Sequence, residues 1–306
     1  MIGAMRVRFG IMADAHIEFM HDGADRVRTF LDACLKEKCD FLIDLGDFCP
    51  PGKENAEEKE KILSMLKGFP LPFYHVIGNH DTDENKKAAV LSYLSCEDQP
   101  RSFDVGGVHF VLLDACSYLE DGKEIGYENG NYKHTAGAVP ILPKTELDFL
   151  KKDLAAAKAP AVLFSHQSLI ESRTGIKNAE SLRDAIADAP MGVLLSVCGH
   201  EHVDRIERLG GTYYLCLNSM SYYWAGEQYD HETYGEKIER EHPLLRAVFP
   251  YREPLFSIID VTDEGIFIHG RSSEIVGASP EALDFHKAGL RDKITASIEN
   301  RALPLS

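Results

Sequence analysis

Short apolar runs, each ended by polar residues, recur along the first third of the chain with helix-spaced segments between them. Val7 to Ala13 reads as a buried strand; Val27, Phe30, Leu31, Cys34 and Leu35 then return at helical intervals. Phe41 to Leu45 is a second strand, followed by a helix through Ile62, Leu63 and Leu66 that stops at Gly68. Phe73 to Ile77 is a third strand, and Ala88 to Leu94 the next helix. Alternation of this kind predicts a largely parallel sheet, because parallel neighbours need a crossover between them.

The pattern then changes. Phe103–Val105 and Val108–Leu113 flank Gly106-Gly107 and predict a hairpin. Residues 117–143 carry Gly, Asn, Tyr and Pro without a period and read as a long loop, of a length more often functional than idle. A helix with Leu147, Leu150 and Leu154 on one face follows, then buried strands over Ala161–Phe164 and Val193–Cys198. Residues 226–253 are polar and aperiodic and read as a second insertion. Ser279-Pro280-Glu281 has the form of an N-cap with proline in the first turn. The expectation is one domain over residues 1–275 with a helical appendage over 276–306.

Composition narrows the classes. A chain of 306 residues buries roughly three quarters of its unfolded surface, so it needs no disulfide to fold. The seven cysteines have no paired spacing, there is no apolar start of signal-peptide type, and no run approaches the ~18 residues of a membrane span. The expected setting is therefore the cytoplasm, without a membrane partner. A net charge of −16 argues against nucleic acid, whose phosphates call for a basic face. A small phosphorylated substrate, a nucleotide included, is compatible with that charge, since bound cations would reverse its sign locally.

Five polar motifs stand just after the apolar runs: Asp14-Ala15-His16, Gly46-Asp47, Gly78-Asn79-His80-Asp81, His166 and Gly199-His200-Glu201-His202. They supply two aspartates, an asparagine and several histidines, the donor inventory of a site for two metal ions. In open α/β sheets ligands bind beyond the carboxyl ends of the strands, where all five lie. Imidazole and carboxylate donors without thiolate suit Mn, Fe or Zn, with Ni and Mg as further candidates. Glycines before three of the motifs suggest sharp exits from the strands at positive φ.

In this order the motifs resemble the signature of the calcineurin-like metallophosphoesterase superfamily: D-x-H, G-D, G-N-H-[DE], a separate H, and G-H-x-H. The resemblance covers residues 14–202 with no ligand position missing. It implies an α/β fold, a four-layer sandwich of two mixed β-sheets flanked by helices, with a dinuclear metal site at the carboxyl ends of the strands. Carried over by position, it makes Asp14, His16 and His202 ligands of one metal, Asn79, His166 and His200 ligands of the other, and Asp47 the bridge. The implied activity is metal-dependent hydrolysis of a small mono-, di- or pyrophosphate ester by a metal-bridging hydroxide. His80, free of ligand duty, is expected to assist the leaving oxygen, with Asp81 holding its ring.

Related cyclic-nucleotide phosphodiesterases follow the separate histidine with histidine or proline, where this chain has Gln167. A nuclease is disfavoured by charge, and a non-catalytic binding module by the complete motif set. Purple acid phosphatases carry a tyrosine where this chain has Pro50. Tyr222, Tyr223 and Trp224 are read either as core or as the wall of a pocket, with Asn218 and Ser219 as polar neighbours. Cys49 and Cys198 are read as small buried hydrophobes.

Overall fold

The computed structural model describes residues 4–99, 101–170, 174–286 and 293–305. Sixteen strands run in chain order as β1 (Arg6–Met12), β2 (Phe41–Asp44), β3 (Phe73–His75), β4 (Ser102–Val105), β5 (Val108–Leu113), β6 (Ser117–Glu120), β7 (Lys123–Gly126) and β8 (Ala161–Ser165), then β9 (Val193–Cys198), β10 (Arg205–Leu209), β11 (Thr212–Cys216), β12 (Tyr222–Trp224), β13 (Val248–Pro250), β14 (Ser257–Thr262), β15 (Gly265–His269) and β16 (Arg301–Leu303). Among the described residues these strands build two six-stranded sheets, ordered β16-β15-β14-β1-β2-β3 and β10-β11-β9-β8-β5-β4. β1, β2 and β3 are parallel, as are β5, β8, β9 and β11; antiparallel strands close both edges of the second sheet and the β16 edge of the first, whose other edge is the parallel β3.

Both sheets give one face to a shared core. Alternate residues Val7, Phe9 and Ile11 of β1 meet Phe110, Phe164, Leu195 and Val197 of the second sheet. Phe9 stacks on Phe41 at 5.2 Å and meets Phe110 edge-on at 5.6 Å. Each such buried ring stabilises the sandwich by roughly 1.5–3 kcal/mol. The opposite faces are covered by helices. α1 (Gly23–Lys36) and α2 (Ala56–Lys67) pack Val27, Phe30 and Ile62 on the first sheet. The second sheet takes Leu150 and Leu154 from the helix Lys144–Ala156, with Leu182 and Ile186 from Ala179–Ala187. This is the expected four-layer sandwich.

Three expectations change. Residues 117–143 are not a bare loop: β6 and β7 pair as a hairpin, followed by a single helical turn at Asn131–His134. The 226–253 segment is built of short helical turns and β13, which pairs with β12. Among the described residues no helix opens at Ser279. Ser279 Oγ accepts from Ala282 N at 3.1 Å as a cap would, but Asp284 turns to a φ of 48° and ends the turn. Further on, β16 pairs with β15, and residues 287–292 of the expected appendage lie outside the described residues. No described helix is long and apolar enough to cross a membrane.

Candidate metal centre

Each motif follows a parallel strand: Asp14 and His16 leave β1, Asp47 leaves β2, Asn79 leaves β3, His166 leaves β8, and His200 and His202 leave β9. The exits are sharp, but the strain sits mainly on the donors themselves. Asp14, His16, Asp47, His200 and His202 have φ of 52°, 48°, 54°, 69° and 54°. Left-handed backbone costs a residue with a side chain roughly 1–2 kcal/mol, so the surroundings must hold it. Asp14 N donates to Gly46 O at 3.0 Å, His16 N to Asp47 O at 2.9 Å, and Ser219 Oγ to Asp14 O at 2.8 Å. Of the motif glycines only Gly46 has a positive φ. Gly78 is required for closeness instead: a Cβ there would lie 2.1 Å from Asp47 Oδ1.

The turns bring two donor groups together. Asp14, His16 and His202 offer donor atoms all within 4.8 Å of one another, and Asp47, His166 and His200 do the same. Asn79 Oδ1 lies 3.0 Å from His166 Nε2, which places it with the second group. Asp47 Oδ2 stands between the two, 3.1 Å from His166 Nε2 and 3.9 Å from His16 Nε2.

The chemistry of this set fits cations. The outward nitrogens are committed: His16 Nδ1 to Glu18 Oε1 at 3.0 Å, His166 Nδ1 to Leu45 O at 2.8 Å, and His202 Nδ1 to Tyr222 O at 2.7 Å. Such partners fix the tautomer and leave Nε2 to the site. Asp14 and Asp47 are fully buried, and their ion pairs among the described residues are with histidines, not with lysine or arginine. Burial favours the neutral acids, yet His202 and His166 hold Asp14 below the ordinary aspartate range, and His166 and His80 do so for Asp47. Burial, then the neighbouring His166, pushes His200 down to about 3, the neutral form a cation requires.

The expected pairing of Asp81 with His80 is not made. Asp81 Oδ2 accepts from Asp47 N at 2.9 Å and Gly78 N at 2.8 Å, and Oδ1 accepts from Phe48 N at 3.1 Å. It clamps the β2 and β3 turns. His80 opens a short 3-10 turn, which carries Asp83 to its Nδ1 at 2.7 Å. Burial pulls the His80 imidazole down, but Asp47 and Asp83 outweigh it and hold its pKa up to about 9.

His80 lines a cavity of about 430 Å³ over the donors, with Phe19, Tyr222, Tyr223 and Trp224 on its wall and Lys133 and Glu201 among its polar groups. Tyr213 and Tyr214 stay in β11, Ser219 is spent on backbone, and Asn218 on backbone carbonyls and the Tyr251 hydroxyl, so none of them reaches the cavity wall. Cys49 and Cys198 are buried, and His134 is exposed. Asp83, Glu18, Phe19, Tyr132 and Lys133 were not anticipated. The first three follow motif histidines by two or three positions, a spacing that could have flagged them. Tyr132 and Lys133 come from the hairpin insertion and carry no local signal.

Residues 7–204 match the family model described as calcineurin-like phosphoesterase. Among solved structures the chain is similar to a dimetal phosphatase from Danio rerio, with 15% identity, TM-score 0.64, and coverage of 89% of this chain and 98% of that one. It is also similar to GAP50, the anchor in the inner membrane complex of Plasmodium, with 13% identity, TM-score 0.50, and coverage of 99% and 90%. At such identities these two likenesses show the fold alone. The family match spans about two thirds of the chain and includes every donor in the two clusters. This chain therefore belongs to the calcineurin-like phosphoesterases, dinuclear metal-dependent hydrolases of phosphoester bonds.

Proposed function

We propose that Asp14, His16 and His202 hold one cation, that Asn79, His166 and His200 hold a second, and that Asp47 bridges them to hydrolyse a small phosphorylated molecule. The observation that carries this is the position of Asp47 Oδ2 between the two histidine groups, in a buried carboxylate pair whose ion pairs among the described residues are with histidines. Two such cations supply an activated water and polarise the phosphoryl oxygens. The donor set suits Mn, Fe or Zn before Ni or Mg.

The remaining residues act on the substrate. His80 has Nδ1 committed to Asp83, leaving Nε2 to pass a proton to the departing oxygen in the cavity. Phe19, Tyr222 and Trp224 give the cavity an aromatic side suited to a leaving group that carries a planar ring, such as a nucleoside. A space of about 430 Å³ holds a mononucleotide-sized molecule rather than a polymer. With a net charge of −16 this favours a free nucleotide or similar ester over nucleic acid. The monoester, diester and pyrophosphate readings share this site, and Gln167 after His166 disfavours a cyclic-nucleotide diester.

The test is hydrolysis of nitrophenyl phosphate and bis-nitrophenyl phosphate by metal-stripped protein reloaded with Mn, beside Asp47→Asn. Turnover restored by Mn and lost in the variant is expected, and the preferred compound separates monoesterase from diesterase. Binding of Mn with no turnover of either would favour the non-catalytic use of this fold. No binding of metal would overturn the reading.

A further inference from the structure

Tyr132 lies on the single helical turn of the hairpin insertion, 53 positions from Asn79, yet its hydroxyl accepts from Asn79 Nδ2 at 3.0 Å. The same oxygen donates to Asp83 Oδ1 at 2.7 Å. Asp83 also takes Lys133 Nζ at 2.6 Å and His80 Nδ1 at 2.7 Å. A carboxylate held by these donors offers only lone pairs, so the phenol proton has one place to go. What the phenol turns toward Asn79 is therefore a lone pair.

That settles an orientation. The two ends of an asparagine amide are alike in shape and differ in hydrogen bonding. With Nδ2 engaged by Tyr132, Oδ1 is the end left beside His166 Nε2, at 3.0 Å. A turned amide would aim N–H donors into the second donor group and face its oxygen against the phenol's lone pair. The insertion is fixed well enough to impose this. Gly130 N donates to Thr82 O and Asn129 N to Asn85 O, each at 3.0 Å, and the Tyr132 ring stacks on Tyr127 at 4.5 Å.

We propose that Tyr132 is a positioning residue of the metal centre: its hydroxyl sets the Asn79 amide oxygen toward the second cation, and residues 117–143 are in this way part of the site rather than a cover over it. The inference rests on the dinuclear assignment above.

The test is calorimetric titration of metal-stripped protein with Mn alone, with electron paramagnetic resonance following the coupled Mn pair. Tyr132→Phe keeps the ring and its stack and removes only the hydroxyl. The expected result is an unchanged first Mn and a second loosened by about 10- to 100-fold, the scale for removing a partner that orients a ligand. The coupled signal should fade accordingly. Asn79→Asp supplies the second arm, because a carboxylate presents oxygen whichever way it turns. Adding Tyr132→Phe to Asn79→Asp should cost the second Mn nothing further. Asp83→Asn, which frees the phenol proton to turn, should reproduce the loss from the other side. If Tyr132→Phe costs the second Mn as much in the Asn79→Asp variant as in wild type, the role is merely structural and the proposal is overturned. So would a Tyr132→Phe protein that binds two Mn as wild type does overturn it, and that outcome would leave the phosphoesterase reading standing. Wild type binding fewer than two Mn would overturn both.

Discussion

Asp14, His16 and His202 all stand at left-handed backbone angles, whereas of Asn79, His166 and His200 only His200 does. The first half of the centre is held mostly through main-chain groups, with Glu18 Oε1 on His16 Nδ1 and the Ser219 hydroxyl as the side-chain contributions. Asp14 N donates to Gly46 O, Ser219 Oγ to Asp14 O, Met220 N to Ala13 O at 2.8 Å, and His202 Nδ1 to Tyr222 O. The second half owes more to side chains: Tyr132 fixes Asn79 from an insertion, and Asp81 fixes the turn that carries it. Strained backbone inside a sheet connection leaves little to vary. A donor oriented by a side chain from an added hairpin can be changed without touching the sandwich. The proposed second position is thus the half where members of one fold could diverge in metal and reaction.

The largest expected effect erases this difference. Asp81→Ala strips the acceptor from the amides of Asp47, Phe48 and Gly78, all in buried turns. Buried donors left unpaired cost about 1–3 kcal/mol each, so roughly 3–5 kcal/mol is expected after water recovers part. The urea midpoint should fall accordingly, and both Mn positions should weaken together, because Asp47 belongs to both. Loss at one position alone would show that Asp81 serves only its own turn.

Next in size is His80→Ala, which belongs to neither half. Turnover should fall by roughly 10²- to 10⁴-fold, the range for one positioned acid or base, while two Mn still bind. Asp83→Asn should lower turnover through the same ring. A loss of Mn in His80→Ala would make His80 part of the donor set instead.

His80 also marks how far the sequence could be read. The strands and their order of donors were legible because buried parallel strands are continuous apolar runs and every donor stands just beyond one. The partner of His80 was not. Asp81 is its neighbour in sequence, but on a 3-10 turn a side chain meets the residue three positions on, which is Asp83. Tyr132 was hidden for a different reason: it reaches the site through the placement of a whole hairpin. At the chain's end the cap signature was real and Ser279 makes its bond, yet a cap does not supply a helix, and β16 gains a sheet edge instead.

Ser219→Ala is a smaller change directed at the main-chain half. The hydroxyl donates to Asp14 O and accepts from Ser221 N at 3.1 Å and Tyr222 N at 3.2 Å. Its removal should cost roughly 1–3 kcal/mol and loosen the first Mn by ~10-fold or more, with the second little affected. Against Tyr132→Phe, this gives opposite assignments of the weakened ion, which calorimetry resolves as loss of the tighter or the looser step. The same step weakened by both would dissolve the distinction between the halves.

The smallest effect lies at the far end of the second sheet and touches neither half. His109 on β5 has Nδ1 on Asp104 and Nε2 on Asp153, each at 2.7 Å. Burial lowers this imidazole, but Asp153 and Asp104 outweigh burial and leave its pKa above the ordinary 6.5. A raised value in the folded state means the protonated ring stabilises the fold. That contribution is complete below about pH 6.5, the unfolded value, and fades as pH rises through the folded one. Because Asp104 is mostly exposed, the bridge is worth no more than about 1 kcal/mol. The stability gap between wild type and His109→Gln should therefore be widest near pH 6 and close toward alkaline pH, with Mn binding unchanged throughout. A gap that instead widened with rising pH would mean that the neutral ring is the form the fold prefers.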